Sequence, residues 1–403
     1  MRFGSPEFFH NPYPFYADRR SQGGALQLRP NTWTLTGYHE LAAVLQSPLA
    51  GRGEVGYYGQ TGVNKEDFRR FKQQNPAFRL IDQWMLFKNP PEHTVVRQKI
   101  AKSMTARVFN ALESSIRATL NTLLAELDTE RDGLIEFSSE VAYPFPNRVI
   151  GDLLGIPPDT LKEFTQWSGK IADVVEGGYL SMSSAYRDEL NQGALDLKRH
   201  FKQLRDTTDF TGRECLIEKF SSTEGGELDE DEILANCVFM LFAGMESTSF
   251  AICNMIHALL SHPDQLALLR EQPSLADNAA DESLRFDPPI QMLTRVALDK
   301  IETDRVTVEK GENILAFIGA AGRDPDVNHS PDDFNIERES IRHLAFTRGT
   351  HHCMGSVLAR IEMRVFLEEF FGRFADVRHF SEPVRRKNWL MRGFESLPLR
   401  CTH

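Results

Sequence analysis

The stretch from Asp229 to Ser261, ended by Pro263, constrains the fold more than any other part of this chain. It opens on Asp229, Glu230, Asp231 and Glu232, acids suited to the positive end of a helix dipole. Its middle, Cys237-Val238-Phe239-Met240-Leu241-Phe242-Ala243-Gly244-Met245, is apolar on nearly every side, and a helix apolar all round is a buried one. Directly after it come Glu246, Ser247, Thr248 and Ser249. Polar groups buried there without partners cost about 1 to 3 kcal/mol each, more for a carboxylate. Either the hydroxyls bond back to carbonyls one turn earlier and Glu246 reaches solvent, or the protein uses these groups.

A second feature lies near the C-terminal end: Phe346-Thr347-Arg348-Gly349-Thr350-His351-His352-Cys353-Met354-Gly355, a turn-rich loop leading into apolar residues at helical spacing (Val357, Leu358, Ile361, Val365). A cysteine binds metal as thiolate, and its pKa falls at a helix N-terminus, near cations or on a metal. The helix predicted after Cys353 would turn its orphan N–H groups and positive end toward the sulfur. Gly349 and Gly355 supply the backbone freedom of a tight loop. The bland reading of a lone cysteine is a small buried hydrophobe.

The loop resembles the haem-ligand signature of the cytochrome P-450 family, Phe-x-x-Gly-x-x-x-Cys-x-Gly, through Phe346, Gly349, Cys353 and Gly355. Thr347 stands where most members carry a second glycine, which bears on the turn geometry. Ala243-Gly244-Met245-Glu246-Ser247-Thr248 resembles the family's oxygen-activating helix segment. The resemblance implies that Ala243 lies at the cofactor, that Gly244 leaves room for dioxygen, and that Glu246, Ser247 and Thr248 relay protons. Ser247 replaces the usual threonine, keeping the hydroxyl but losing the methyl that restricts χ1, so some uncoupling to peroxide is expected. Glu282 and Arg285, three apart on a predicted helix, match the family's structural Glu-x-x-Arg pair; alone they read as a surface ion pair worth about 0 to 1 kcal/mol. His93 and Arg97, four apart on a helix face, together with Arg295 and His351, match the family's partners for the haem propionates. Asn89 replaces an aspartate common in the family, a change expected to matter only for capping.

The resemblance runs from Asn11-Pro12-Tyr13-Pro14 to the helix after Cys353. It implies a mainly α fold with small β-sheets, and residues 1–403 as a single haem-thiolate monooxygenase domain. The implied cofactor is haem b (iron protoporphyrin IX), with Cys353 as axial ligand of the iron. The implied partners are a ferredoxin and its ferredoxin reductase, docking on basic residues Lys99, Lys102, Arg107, Arg342, Arg348, Arg360 and Arg364; a merely solvated face is the equal alternative. The substrate class is a sizeable apolar small molecule of natural-product type, free or bound to a carrier protein, hydroxylated or epoxidised. Pocket segments by family position are Val55 to Phe87, Ile171 to Leu180, Phe239 to Ala243, Ile290 to Leu293, and Trp389 to Met391. A peroxide-driven enzyme, a haem sensor or carrier, and a helical protein without haem are the alternatives.

Lysine and arginine number 46 against 57 acids, a net charge of −11, which argues against a nucleic-acid surface. Five scattered cysteines without Cys-x-x-Cys suggest neither a disulfide framework nor zinc. The longest apolar run, Cys237 to Met245, is far short of the ~20 residues that span a bilayer. The expectation is a cytoplasmic monomer without membrane attachment. Two hairpins are predicted, one around Pro30-Asn31 and one around Glu309-Lys310-Gly311-Glu312, and a polar linker from Glu214 to Asp231.

Overall fold

A computed structural model describes residues 3–52, 65–127, 133–175, 182–208, 215–217 and 229–403. Most of its regular structure is α-helical, with small sheets, and the chain divides into two compact units. The first comprises Met1–Ala50, Phe109–Pro146 and Glu246–His403, the second Gly51–Val108 and Asn147–Met245.

The helix Glu230–Ser261 follows the sequence reading closely. The Asp229 carboxylate accepts from the Glu232 N–H at 2.7 Å and caps its first turn. By length and composition it could cross a membrane, although its uninterrupted apolar run is short. Yet 72% of its most apolar stretch is buried inside the protein, the behaviour of a core helix. The expected polar linker differs from its sequence reading at its start, where Cys215, Leu216 and Ile217 are buried; residues 218–228 lie outside the described set.

In the first unit the strands Ala25–Arg29, Thr32–Leu35, Asn313–Ala316 and Leu293–Ala297 lie side by side in that order. The first two form the expected hairpin, with Asn31 at φ +61° in the turn. The second expected hairpin does not form. Gly311 does take φ +85°, as the turn requires, but Thr307–Val308 pairs with Ile301–Glu302, whereas Asn313–Ala316 pairs antiparallel with Leu293–Ala297 and parallel with Thr32–Leu35. Gly311 N–H donates to Ala297 O at 2.8 Å and Ala297 N–H to Glu312 O at 3.0 Å, so the turn hands its second arm to a different strand. Tyr38–Gln46 seals this sheet through Leu41, Val44 and Leu45, which pack with Leu35, Ile314 and Leu344. That packing places Leu45 beneath the cysteine loop.

The helix after the cysteine spans Ser356–Arg373 and is held by charge as well as by its phenylalanines. Arg364 reaches Glu113 at 2.6 Å and Asp277 at 3.2 Å, while Arg117 of Glu113–Ala125 bonds Glu368 at 2.6 Å and Glu369. Arg360 bonds Asp281 of Ala276–Phe286 at 2.7 Å. In the second unit Trp84 is fully buried, its ring 5.3 Å from Phe239 and 5.2 Å from Phe242. Helices Leu161–Val175 and Ser184–Thr207 pack so closely that a Cβ on Gly193 would lie 2.3 Å from the Trp167 ring.

Candidate functional site

The loop that carries Cys353 is fixed by its own turns. Cys353 N–H donates to Phe346 O at 2.9 Å, Thr347 N–H to Leu344 O at 2.8 Å, and His352 N–H to Gly349 O at 3.1 Å. Gly349 adopts φ +67°, and a Cβ there would lie 2.5 Å from the Leu45 carbonyl oxygen, so no other residue fits without movement. Thr347 also lies in the left-handed region, at φ +58°, a conformation costing a β-branched residue about 1 to 2 kcal/mol. Its hydroxyl donates to His351 O at 2.8 Å, which offsets part of that cost. The Arg360 guanidinium covers the Phe346 ring at 4.5 Å, and Arg348 donates to Tyr38 Oη at 2.7 Å.

These residues fit a thiolate-ligated haem. Cys353 is half-buried at the start of Ser356–Arg373, whereas the other four cysteines are buried, and burial pushes the Cys237, Cys253 and Cys401 thiols up to about 12. A Cβ built on Gly355 meets no atom within 4 Å, the open face that a flat macrocycle needs beside its ligand.

Glu282 and Arg285 are no surface pair. Both side chains are wholly buried, bonded at 2.6 and 2.8 Å. Arg285 also donates to the carbonyls of Gly322, Pro331 and Asp333, and Glu282 accepts from Asn335 N–H and Arg338 Nε. The pair therefore pins the coil leading to the cysteine loop, and Arg338, which no short motif marks, completes it.

On the central helix Glu246 and Ser247 are half-buried, Thr248 and Ser249 buried, and the chain stays α-helical through them. The Cβ that Gly244 lacks would lie 2.9 Å from Ile150 Cγ1, so the helix packs closely on Ile150 at this glycine. Ala243 is half-buried. A residue that the sequence did not single out, Asn254, sits two turns further on. Its Nδ2 donates to Asp287 O and Arg392 O, both at 3.0 Å, and its Oδ1 accepts from Arg385 at 2.7 Å. Asp287 in turn bonds Arg392 at 2.7 Å, Arg385 at 3.0 Å and the Tyr13 hydroxyl at 2.7 Å. The cluster ties together Pro288–Leu293 and Leu390–Arg392, where Ile290 bridges Met391. Two of the expected pocket walls are thus one joined element.

In the second unit His93 is buried on Glu92–Ser103, and burial together with the Arg97 charge lowers its pKa to about 4. His93 is therefore neutral near pH 7 and suited to donate an N–H, with Arg97 as the cation. Asn89 does not cap this helix with its side chain. Its Oδ1 accepts from Arg52 N–H at 2.8 Å and its Nδ2 donates to Arg52 O at 2.7 Å, a two-way bond that an ionised aspartate cannot make. In the first unit Arg295 is buried and donates to Thr294 O at 2.9 Å, and His351 lies in the helical turn Gly349–His351. Of the expected pocket segments, residues 55–64 and 176–180 lie outside the described set, while Trp84, Phe239 and Phe242 pack on one another. Of the expected docking cations, Arg360 and Arg364 are spent on acids, while Lys102, Arg107, Arg342 and Arg348 are exposed.

Comparison with known proteins agrees with this geometry. Residues 180–394 match the family model described as Cytochrome P450. The biotin biosynthesis cytochrome P450 of Bacillus subtilis is 30% identical over 98% of this chain and 97% of its own. The vitamin D(3) 25-hydroxylase of Pseudonocardia autotrophica is 31% identical over 98% and 95%. Among solved structures, P450BioI in complex with an acyl carrier protein ligated to hexadec-9Z-enoic acid superposes with a TM-score of 0.87 at 29% identity, covering 98% of this chain and all of that one. Ligand-free Mycobacterium smegmatis CYP164A2 gives 0.83 at 31%, covering 98% of both. With its cysteine loop, buried Glu-x-x-Arg brace and end-to-end similarity, the chain belongs to the cytochrome P450 family, the haem-thiolate monooxygenases.

Proposed function

We propose that residues 1–403 act as one domain that hydroxylates or epoxidises a sizeable apolar small molecule in natural-product biosynthesis, with electrons from a ferredoxin and its reductase. The observation that carries the chemistry is the closed loop presenting Cys353 at a helix start. When bound, haem supplies the iron at which dioxygen is activated, and a thiolate ligand favours O–O cleavage.

The chain's own residues take the following roles in this reading. Cys353 holds the iron through Sγ, with Phe346, Gly349 and Gly355 shaping the loop around it. Arg295 and His351 in the first unit, and Arg97 with neutral His93 in the second, offer donors and positive charge to propionates. Glu246 exchanges a proton with solvent at its carboxylate, and the Ser247 hydroxyl passes it on at Oγ, with Thr248 beside them. Glu282 and Arg285 stay structural. Exposed Arg342, Arg348, Lys102 and Arg107 are offered to the acidic face of a ferredoxin, so the rate of reduction should fall steeply with salt.

The names of the relatives support the substrate class. They include PikC of Streptomyces venezuelae, the 6-deoxyerythronolide B hydroxylase of Saccharopolyspora erythraea and the bacillaene polyketide synthase P450 PksS. A carrier-bound substrate is favoured by one observation, the acyl carrier protein held by P450BioI. The test is a spin-state titration with matched free and carrier-linked acyl, polyketide and terpene compounds, followed by turnover with ferredoxin and reductase. No spin shift with any of these classes, or full turnover on hydrogen peroxide alone, would overturn the reading.

A further inference from the structure

We propose that Thr347 is a positioning residue for the cysteine ligand, its hydroxyl closing the loop from which Cys353 projects. Two links span this loop. One is the backbone bond from Cys353 N–H to Phe346 O at 2.9 Å. The other is the Thr347 hydroxyl bond to His351 O at 2.8 Å, which ties the first turn of the loop to the residue two before the cysteine. Thr347 holds φ +58°, a conformation that glycine takes without cost and a β-branched residue resists. A threonine in that state needs a compensating contact, and the hydroxyl supplies one that glycine cannot. The neighbouring positions have little slack of their own, because Gly349 is pressed against the Leu45 carbonyl and Phe346 is covered by Arg360. The loop is therefore closed by a side chain where a glycine would rely on backbone freedom alone.

The inference rests on Cys353 as the ligand, and its test separates the two. Thr347→Ser keeps the hydroxyl and Thr347→Ala removes it, both without the β-branch, so the two differ in the hydroxyl alone. The measurement is the rate at which the reduced, CO-bound protein loses its thiolate-type Soret band in a fixed concentration of urea. The serine variant should stay within twofold of the parent, and the alanine variant should convert roughly three- to tenfold faster. Equal rates for serine and alanine overturn the proposal. Should the alanine variant fail to take up haem, uptake itself decides: a serine variant loaded to the parental level supports the proposal, and a serine variant that fails as the alanine variant does overturns it. If the parent shows no thiolate-type band, the assignment of Cys353 fails and takes this proposal with it.

Discussion

Glu282→Ala would leave two guanidinium groups without their shared anion. The Glu282 carboxylate accepts from Arg285 Nε at 2.6 Å, Arg285 Nη2 at 2.8 Å, Arg338 Nε at 3.0 Å and Asn335 N–H at 2.8 Å. Three of these bonds come from charged donors, and Arg285 has no exposed surface to which it could turn. Its three remaining carbonyl acceptors do not neutralise it. Removing one partner of a buried pair costs about 3 to 5 kcal/mol. Against a total stability of about 5 to 15 kcal/mol this is a large share, concentrated on the coil before the cysteine loop. The variant should show a lower urea midpoint by circular dichroism and little haem absorbance per protein. Glu282→Met combined with Arg285→Met removes both charges of the pair and should cost less than the sum of the two single changes. A fully haem-loaded Glu282→Ala protein with the parental midpoint would refute the reasoning, as would a double variant whose loss equals the sum of the singles.

Ser247→Thr should raise product formed per reduced cofactor consumed, since the added methyl restricts χ1; unchanged full coupling would count against the proposed relay. Asn89→Asp replaces a donor to Arg52 O with a second acceptor and should cost about 1 to 3 kcal/mol in urea denaturation. Gly349→Ala forces a Cβ against the Leu45 carbonyl and should lower haem retention in a transfer assay to apomyoglobin. Burial alone would raise the pKa of Asp287, but Arg392 and Arg385 win and lower it from 3.8 to about 2. Its folded value being the lower one, the stabilisation of about 2 kcal/mol is present above pH ~4 and lost as pH falls toward 2. Asp287→Asn should accordingly show a shallower acid limb in its unfolding-against-pH curve.

The parts of this protein that short motifs encode are legible in the chain itself. The central helix shows in its acidic start and its stopping proline, and the cysteine loop in its glycines, because such signals are local. What escapes reading depends on partners far apart in sequence. Nothing near Glu282 announces Arg338, and nothing near Asn254 announces Asp287 or Arg392. The turn at Gly311 is visible as a turn, yet which strand its second arm joins is decided by Leu293–Ala297. Asn89, expected to matter only for capping, is instead bonded to Arg52, and nothing near Gly244 announces Ile150. Glu282 and Arg285 read in isolation as a surface pair, whereas the family pattern makes them structural; both are buried and bonded to the coil before the cysteine loop.

Both bonds that Asn254 donates end on main-chain oxygens, of Asp287 and Arg392, so that part of its grip is indifferent to the side chains carried between them. The half-buried Ile290 can therefore change size or polarity while the framework that presents it holds still, whereas Met391, buried beside it, is limited to apolar residues of similar volume. A lineage adapting to a new molecule, or an engineer building a library, has here one position to vary freely and a neighbour to vary conservatively without renegotiating the fold.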